Sequence, residues 1–289
     1  MNTEESVNMK KRKKENTRFI SKELKEQIAT HRSAFAVYLI LRGIILAMMI
    51  LQFFNGNYEN VFLCILTLVL FLVPSFVERS FRIVLPDTLE IIIFLFIFAA
   101  EILGEISAFY IYFPYWDAML HTLNGFLAAA IGFCLVDLLN RDKHFTFQLS
   151  PVFTAVVAFC FSMTIGVLWE FFEFAMDTFF LLDMQKDTVV STISSVMLDP
   201  AGGNTPTAIH GITDVIVNGQ SLALGGYLDI GLIDTMQDLL VNFIGAVVFS
   251  VIGYFYVKNR GKHTFARRFI PKVLHNSLPP RDTEFTTEE

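Results

Sequence analysis

The chain has 289 residues, of which 54% are hydrophobic and only 17% charged, and its mean hydropathy is +0.53. Soluble globular proteins carry about a quarter charged residues, so this composition excludes an ordinary soluble protein and a disordered one. The formal charge of −6 also argues against a nucleic-acid binder, which needs a basic surface. The composition predicts an all-α, polytopic membrane protein.

Six stretches are long and apolar enough to span the hydrocarbon core of a bilayer, which takes roughly 20 helical residues. They lie near Ala34–Phe53, Val61–Val77, Thr88–Ala108, Ala118–Leu139, Val152–Asp177 and Thr235–Val257. The second stretch is short, and Pro74 near its end predicts a kink. We therefore predict a membrane domain of six transmembrane helices over residues 34–257.

The basic residues predict the orientation of these spans. Six spans place both tails and two of the loops on one side, and 20 of the 22 Lys and Arg residues lie in those segments. Arg42 lies inside the first span, and Lys186 is the one basic residue on the opposite side. By the positive-inside rule, the N-terminus and the C-terminus are both predicted to be cytoplasmic.

Three segments lie outside the spans. A basic tail covers residues 1–33, and within it Phe19–His31 carries apolar residues at helical spacing, which predicts an interfacial helix. Residues 258–289 form a second tail, basic at first and then of a composition typical of disorder. The outer loop 178–234 exceeds fifty residues, and loops of this length usually act as lids, bind ligands or are disordered.

Acidic residues recur near the outer ends of four predicted spans, where ionisable side chains are costly and normally face the bundle interior. In chain order they are joined by one histidine and one asparagine: Glu101, Glu105, Asp117, His121, Glu170, Glu173, Asp177, Asp234, Asp238 and Asn242. Within each span the spacing places them on one helix face. Too few basic residues lie at that depth to neutralise them, so either some carboxyls are protonated or a cation lies among them.

Six of these residues are candidate metal ligands, since oxygen ligands with one imidazole suit Mg²⁺, Mn²⁺ or Zn²⁺. They are Asp117, His121, Glu170, Glu173, Asp234 and Asp238. Three of them are also candidate catalytic residues, with His121 as general base or ligand and Glu170 and Asp238 as ligands or proton acceptors. A structural alternative stays open, in which Asp117 and Asp234 cap helices and His121 is a hydrogen-bonded interior histidine.

The functional interpretation requires His121, Glu170 and Asp238 to converge in one cavity. Their predicted depths agree within about one helical turn of roughly 5 Å, so convergence needs only that their faces point to a common axis. Their neighbours Leu120, Phe171 and Leu239 are then expected to face lipid or packing interfaces.

Three motifs resemble those of the YjdF-like family of bacterial inner-membrane proteins and, more distantly, VanZ-like proteins. They are Trp116-Asp117-Ala118-Met119-Leu120-His121 with Gly125, Trp169-Glu170-Phe171-Phe172-Glu173, and Asp234-Thr235-Met236-Gln237-Asp238 with Gly245-Ala246. The resemblance covers roughly residues 88–257. It implies a multi-pass protein of the bacterial cytoplasmic membrane, in a family without an established activity, and the VanZ-like relatives point to the cell envelope.

The leading hypothesis is a cell-envelope membrane protein whose outer-leaflet His/carboxylate pocket binds a divalent cation and acts on, or binds, a lipid or lipid-linked headgroup. One alternative is a non-catalytic scaffold or partner protein, and another is a cation or proton transporter. The sequence fits an enzyme and a binding protein equally. The predicted partners are membrane lipids and a second copy of the chain in a homo-oligomer, with no nucleic acid.

Overall fold

The structure is a computed structural model that describes residues 32–81, 83–141, 149–259, 268–270 and 272–273. Five helices are long and apolar enough to cross a membrane: Ser33–Phe54, Tyr58–Ser80, Trp116–Asp137, Pro151–Phe180 and Leu232–Lys258. They confirm the predicted class, an α-helical polytopic membrane protein. The interfacial helix predicted at Phe19–His31 and most of the C-terminal tail lie outside the described residues.

The chain divides into two compact units, residues 1–112 with 261–289 and residues 113–260. We number the α-helices α1 Arg32–Phe54, α2 Tyr58–Leu70, α3 Val73–Phe81, α4 Asp87–Phe98, α5 Phe109–Tyr112, α6 Trp116–Arg141, α7 Pro151–Phe180 and α8 Leu232–Lys258. A π-helical segment, Ala99–Ile106, follows α4 directly, and a 3₁₀-helix spans Val196–Leu198.

The third predicted span is helical but not a single α-helix. It is α4 followed by the π-helical segment, whose last bond runs from the Ser107 amide to the Ile102 carbonyl at 3.0 Å. This bond reaches back five residues, which widens the turn and ends the regular α pattern. The stretch is therefore absent from the five long helices above, and the count of six spans stays a prediction.

The second predicted span is interrupted close to Pro74. Helix α2 ends at Leu70 and α3 begins at Val73. Proline has no amide hydrogen to donate to the carbonyl four residues earlier and its ring crowds that carbonyl, so the helix cannot continue unbroken. The Leu72 amide instead bonds the Val69 carbonyl at 2.9 Å. The predicted kink is thus a break of two residues.

Large apolar side chains fill the core of the first unit. Seven residues form it: Leu41, Ile45, Cys64, Phe71, Phe94, Ile97 and Ile102. The rings of Phe71 and Phe94 lie 5.2 Å apart, and Tyr38 lies 5.3 Å from Phe94. A short strand β1 (Ile83–Val84) pairs antiparallel with β8 (Lys272–Val273) in the same unit.

Three long helices, α6, α7 and α8, pack on one another in the second unit. In the membrane-spanning part of α6, 61% of the residues are buried, whereas 22% are buried in that of α7 and 33% in that of α8. Helix α6 is therefore the most enclosed of the three. Small residues allow this packing. A Cβ on Gly245 would overlap the Thr122 carbonyl oxygen, and one on Gly125 would overlap the Asn242 carbonyl oxygen. Such close backbone approach at glycine is typical of helix pairs in membranes.

The segment between α7 and α8 is shorter than the predicted loop 178–234, because α7 extends to Phe180 and α8 begins at Leu232. Between them lie β2 (Val189–Val190), β3 (Thr192–Ser195), β4 (Thr207–His210), β5 (Ile216–Val217), β6 (Gln220–Ser221) and β7 (Tyr227–Leu228). They pair antiparallel as β2 with β7, β3 with β4, and β5 with β6. The β2–β7 pair joins the two ends of the segment 181–231, just beyond the helix ends.

Candidate functional site

A buried histidine in the second turn of α6 lies among carboxylates from all three helices of the second unit. Its Nε2 lies 3.7 Å from Asp117 Oδ1 and 3.8 Å from Asp238 Oδ2, and its Nδ1 lies 3.8 Å from Glu170 Oε1. Each distance exceeds that of an ordinary N–H···O hydrogen bond, roughly 2.7–3.2 Å. His121 is therefore surrounded by acceptors that it does not yet bond directly.

The side chains around the ring divide into two groups that could each hold a metal ion. Asp117, His121 and Asp238 form one group, and His121, Glu170 and Glu173 form the other, with one ligand atom of each residue within 4.8 Å of the others. Adjacent ligands of one ion lie about 3 Å apart when the metal–ligand bonds are about 2.0–2.2 Å. Shifts of less than an ångström would bring the three closest pairs to that spacing.

Burial makes this arrangement costly without a ligand. The side chains of His121, Glu170 and Asp238 are 8%, 5% and 4% exposed, whereas that of Asp117 is 33% exposed. Within the described residues, both carboxylate oxygens of Glu170 and Oδ2 of Asp238 are buried with no hydrogen-bond partner within 3.5 Å, although the side chains of Gln185 and Thr235 lie near the Glu170 carboxylate. An unsatisfied buried polar group costs about 1–3 kcal/mol, and more when it is charged.

Basic residues are scarce around the site. Lys186 is the only Lys or Arg between residues 144 and 257. Its ammonium lies 3.6 Å from the Asp183 carboxylate and donates to the Asp183 carbonyl. It is 54% exposed, so it does not enter the buried cluster.

Contacts of Asn242 join α6, α7 and α8 next to the cluster. Asn242, one turn beyond Asp238, is fully buried and accepts a hydrogen bond of 3.3 Å from the Asn124 amide. Its own amide lies 3.6 Å from the Met163 sulfur on α7. These contacts join all three helices one turn further along α8 than Asp238, so they support the cluster from that side.

Trp169 positions the fifth member of the cluster. Its indole Nε1 donates to Glu173 Oε1 at 2.9 Å, four residues along α7, and its ring lies 5.3 Å from that of Phe172. Glu173 is buried, whereas Trp169 is 44% exposed. Nothing in the sequence linked this tryptophan to the site, since a tryptophan beside a carboxylate is usually a packing residue or a membrane anchor.

The carboxylates of Asp234 and Asp177 accept hydrogen bonds from backbone amides of the segment 181–231. The Asp234 carboxylate accepts from the Lys186 amide at 2.7 Å, and that of Asp177 accepts from the amides of Met184 and Gln185 at 2.7 and 2.8 Å. Asp234 belongs to neither of the two groups formed by the described residues. Its predicted role as a metal ligand therefore has no support from the geometry of the groups.

Glu101 and Glu105 lie in the π-helical segment of the first unit. Both groups around His121 are formed by residues of the second unit alone. Of the residues next to the cluster, Leu120 is buried in the packing, Phe171 is 64% exposed and Leu239 is half-buried.

Two residues of the segment 181–231, Asp229 and Gln185, form hydrogen bonds that hold the start of α8. Neither is among the site residues predicted from the sequence. The two oxygens of Asp229 accept from the Thr188 amide at 2.7 Å and the Ile233 amide at 2.8 Å. Gln185 Nε2 donates to the Thr235 hydroxyl at 2.6 Å. Only Asp229 had a readable signal, as an acidic residue just before a helix start.

Two carboxyls of this segment have shifted pKa values. Partial desolvation, together with the nearby carboxylates of Asp183 and Asp229, raises the pKa of Asp187 above its usual range. The hydroxyl of Ser221 and the amides of Val215 and Ala223 stabilise the charged form of Asp214 and lower its pKa. The charged form of Asp187, near the helix ends, is therefore disfavoured, whereas hydrogen bonds favour the charged form of Asp214 beside the β5–β6 hairpin.

A family model described as "Predicted membrane protein (DUF2238)" matches residues 37–259. The match is consistent with the resemblance to the YjdF-like family and covers every residue of the cluster, and it gives no support to the VanZ-like link. No curated protein and no solved structure matches the chain significantly.

Proposed function

Because the chain belongs to the DUF2238 family of predicted membrane proteins, we propose that its buried cluster works as a site within a membrane. In this proposal a divalent cation lies within the cluster of Asp117, His121, Glu170, Glu173 and Asp238, and the cation binds the anionic headgroup of a lipid or lipid-linked molecule. The protein itself would lie in the bacterial cytoplasmic membrane.

The observation that carries the proposal is the set of buried carboxylate oxygens without hydrogen-bond partners. Glu170 and Asp238 approach the same imidazole from two different helices, and three of their oxygens have no hydrogen-bond partner, so a cation beside the ring, and the N–H of a ring that the cation orients, would satisfy them. Capping does not explain them, since Glu170 lies ten residues before the end of α7 and Asp238 lies six residues after the start of α8.

Exposed aromatic side chains next to the site support a headgroup as its ligand. Phe113 and Tyr115, just before α6, are 50% and 81% exposed. Aromatic residues are enriched at the level of the lipid headgroups. Asp117 follows within two residues and is the most exposed carboxylate around His121, so the cluster has an opening at that level.

The chemistry available to such a site is metal-assisted. A bound cation supplies a Lewis acid that polarises a phosphoryl or carbonyl oxygen and lowers the pKa of bound water. The residues of this chain would bind and orient the headgroup, and a carboxylate left free of the cation would accept a proton. The same arrangement serves binding without turnover.

Metal analysis of the detergent-purified chain, before and after chelation, tests the proposal. We expect about one divalent cation per chain and phospholipid that co-purifies with the loaded protein, and we expect both to be lost in a double variant with His121→Ala and Glu170→Gln. Asp183→Asn, which removes an exposed carboxylate outside the cluster, is the matched control. Cation and lipid retained by the double variant would overturn the proposal.

The orientation is a separate part of the proposal. We place both termini in the cytoplasm and residue 186 outside, because 20 of the 22 basic residues then face inward. A cysteine at residue 186, in a chain without Cys64, Cys134 and Cys160, is expected to react with a membrane-impermeant maleimide added to intact cells. Labelling only after lysis would overturn the orientation.

A further inference from the structure

The two ring nitrogens of His121 face different helices. Nε2 faces Asp117 of α6 and Asp238 of α8, whereas Nδ1 faces Glu170 of α7. Glu173 belongs to the same group as Glu170 and His121. One imidazole is thus shared by two sets of carboxylates, which have different burial and different contacts.

We infer that the cation binds on the Nε2 side, between His121, Asp117 and Asp238, and that Glu170 and Glu173 are positioning residues that hold the ring from its Nδ1 side. This inference rests on the proposed function, and it assigns each carboxylate a distinct role. The donor set of one imidazole and two carboxylates suits Zn²⁺ or Mn²⁺, with further positions left for water or a headgroup oxygen.

Access favours the Nε2 side. Asp117 is 33% exposed, whereas the side chain of Glu170 on the opposite side is 5% exposed. A cation that exchanges with solvent and binds a headgroup needs an open coordination position, and only the Asp117 edge of the ring offers one. Asp117 and His121 are also four residues apart on one helix face, the spacing used by paired ligands of helical metal sites.

The Nδ1 side has the character of a supporting shell. A histidine that binds a metal through one nitrogen nearly always donates the N–H of the other to a carboxylate, carbonyl or water, which fixes the ring. Glu170 Oε1, unpartnered and 3.8 Å from Nδ1, is the acceptor for that N–H. The indole of Trp169 in turn donates a hydrogen bond to Glu173, so a residue beyond the two carboxylates holds this side in place.

Titration of Mn²⁺ into the chelated, detergent-purified full-length chain, followed by electron paramagnetic resonance, tests the assignment. We expect one ion per chain, and Asp117→Asn or Asp238→Asn is expected to weaken its binding by about 100-fold or more, beyond what loss of an outer-shell residue costs. Glu170→Leu removes the acceptor and is expected to weaken binding about 10- to 100-fold. Glu170→Gln keeps an acceptor and is expected to restore most of that loss.

A spectroscopic signature separates ligation from support. Nitrogen modulation from a coordinated imidazole is expected in the pulsed spectrum of wild type and of Glu170→Gln, and its loss is expected in His121→Ala. Two ions per chain, or Glu170→Gln as damaging as Asp117→Asn, would overturn the assignment and leave the proposed cation site intact. A wild-type chain that binds neither Mn²⁺ nor Zn²⁺ would overturn the proposed function and this inference together.

Discussion

The two units differ in the ionisable side chains that they bury. The first encloses Phe71, Phe94 and other large apolar groups, whereas the second encloses carboxylates and a histidine beside apolar residues such as Phe133 and Phe249. Lipid is as apolar as a leucine core, so burial from lipid brings no hydrophobic gain, and helices associate through close packing and polar contacts. The first unit therefore relies on the shape of its large side chains, and the second relies on glycine contacts that support a costly polar cluster.

Removing a large side chain from the apolar core is expected to have the largest effect on stability. Phe71 is 2% exposed and packs on Phe94, so Phe71→Ala is expected to leave a cavity and to lower the free energy of unfolding by about 2–3 kcal/mol, the cost of the lost packing alone. Reversible unfolding in mixed detergent micelles measures it. The control is Phe76→Ala, since Phe76 is 68% exposed; equal losses would show that packing does not stabilise the first unit.

Adding a methyl group at the glycine contact probes the second unit. Gly245→Ala places a Cβ against the Thr122 carbonyl, which forces α6 and α8 apart and is expected to cost about 1–3 kcal/mol. Gly43→Ala, in α1, meets no atom within 4 Å and is expected to gain about 0.5–1 kcal/mol instead. The same unfolding assay compares the two, and a gain for both variants would contradict the close approach of α6 and α8.

The polar cluster is expected to destabilise the second unit when no cation is bound. Glu170→Leu removes two buried, unpartnered oxygens and is expected to raise the free energy of unfolding by about 1 kcal/mol in the presence of chelator. Asp183→Asn, at an exposed carboxylate, is expected to change it little. A less stable Glu170→Leu variant would mean that the buried carboxylate contributes to folding by itself.

The smallest expected effect is a pH dependence of the stability of the segment 181–231. The raised pKa of Asp187 means that the folded segment favours the neutral carboxyl, so its contribution to stability is present below the usual carboxyl pKa and is lost as the pH rises through the raised value. Chymotrypsin cleavage within residues 181–231 is expected to increase over that window in wild type more than in Asp187→Asn.

Asp214→Asn is the matched comparison, because the pKa of Asp214 is lowered. Its contribution is present above the usual carboxyl pKa and is lost as the pH falls through the lowered value. The two aspartates are therefore expected to give pH dependences of opposite sign in the same cleavage assay. Equal signs would contradict the electrostatic difference between the helix ends and the β5–β6 hairpin.

Several features of the fold were readable in the sequence because they depend on local composition. Long apolar runs predicted the membrane helices, and Pro74 predicted the interruption of the second span. The π-helical segment after Phe98 and the pairing of β2 with β7 were not readable. The first lies where the Tyr110 ring packs against Gly104, and the second joins residues about forty positions apart.

The candidate site was predicted in part. Helical spacing identified His121, Glu170 and Asp238 as one set, and in the structure one carboxylate oxygen of Glu170 and one of Asp238 each lie 3.8 Å from a ring nitrogen of His121. Spacing placed Asp234 in the same set, but its carboxylate bonds the Lys186 amide. A helical period gives the face of a residue, but not whether the loop above that face supplies its hydrogen bonds.

The sequence by itself determined that this is a multi-pass membrane protein with acidic residues and one histidine near one end of its spans, because hydrophobicity and helical periodicity are local properties. The tertiary structure alone decided which carboxylates meet His121 and which ring nitrogen each one faces. Those facts depend on the rotation and close approach of α6, α7 and α8, which the contacts of Gly125, Gly245 and Asn242 set.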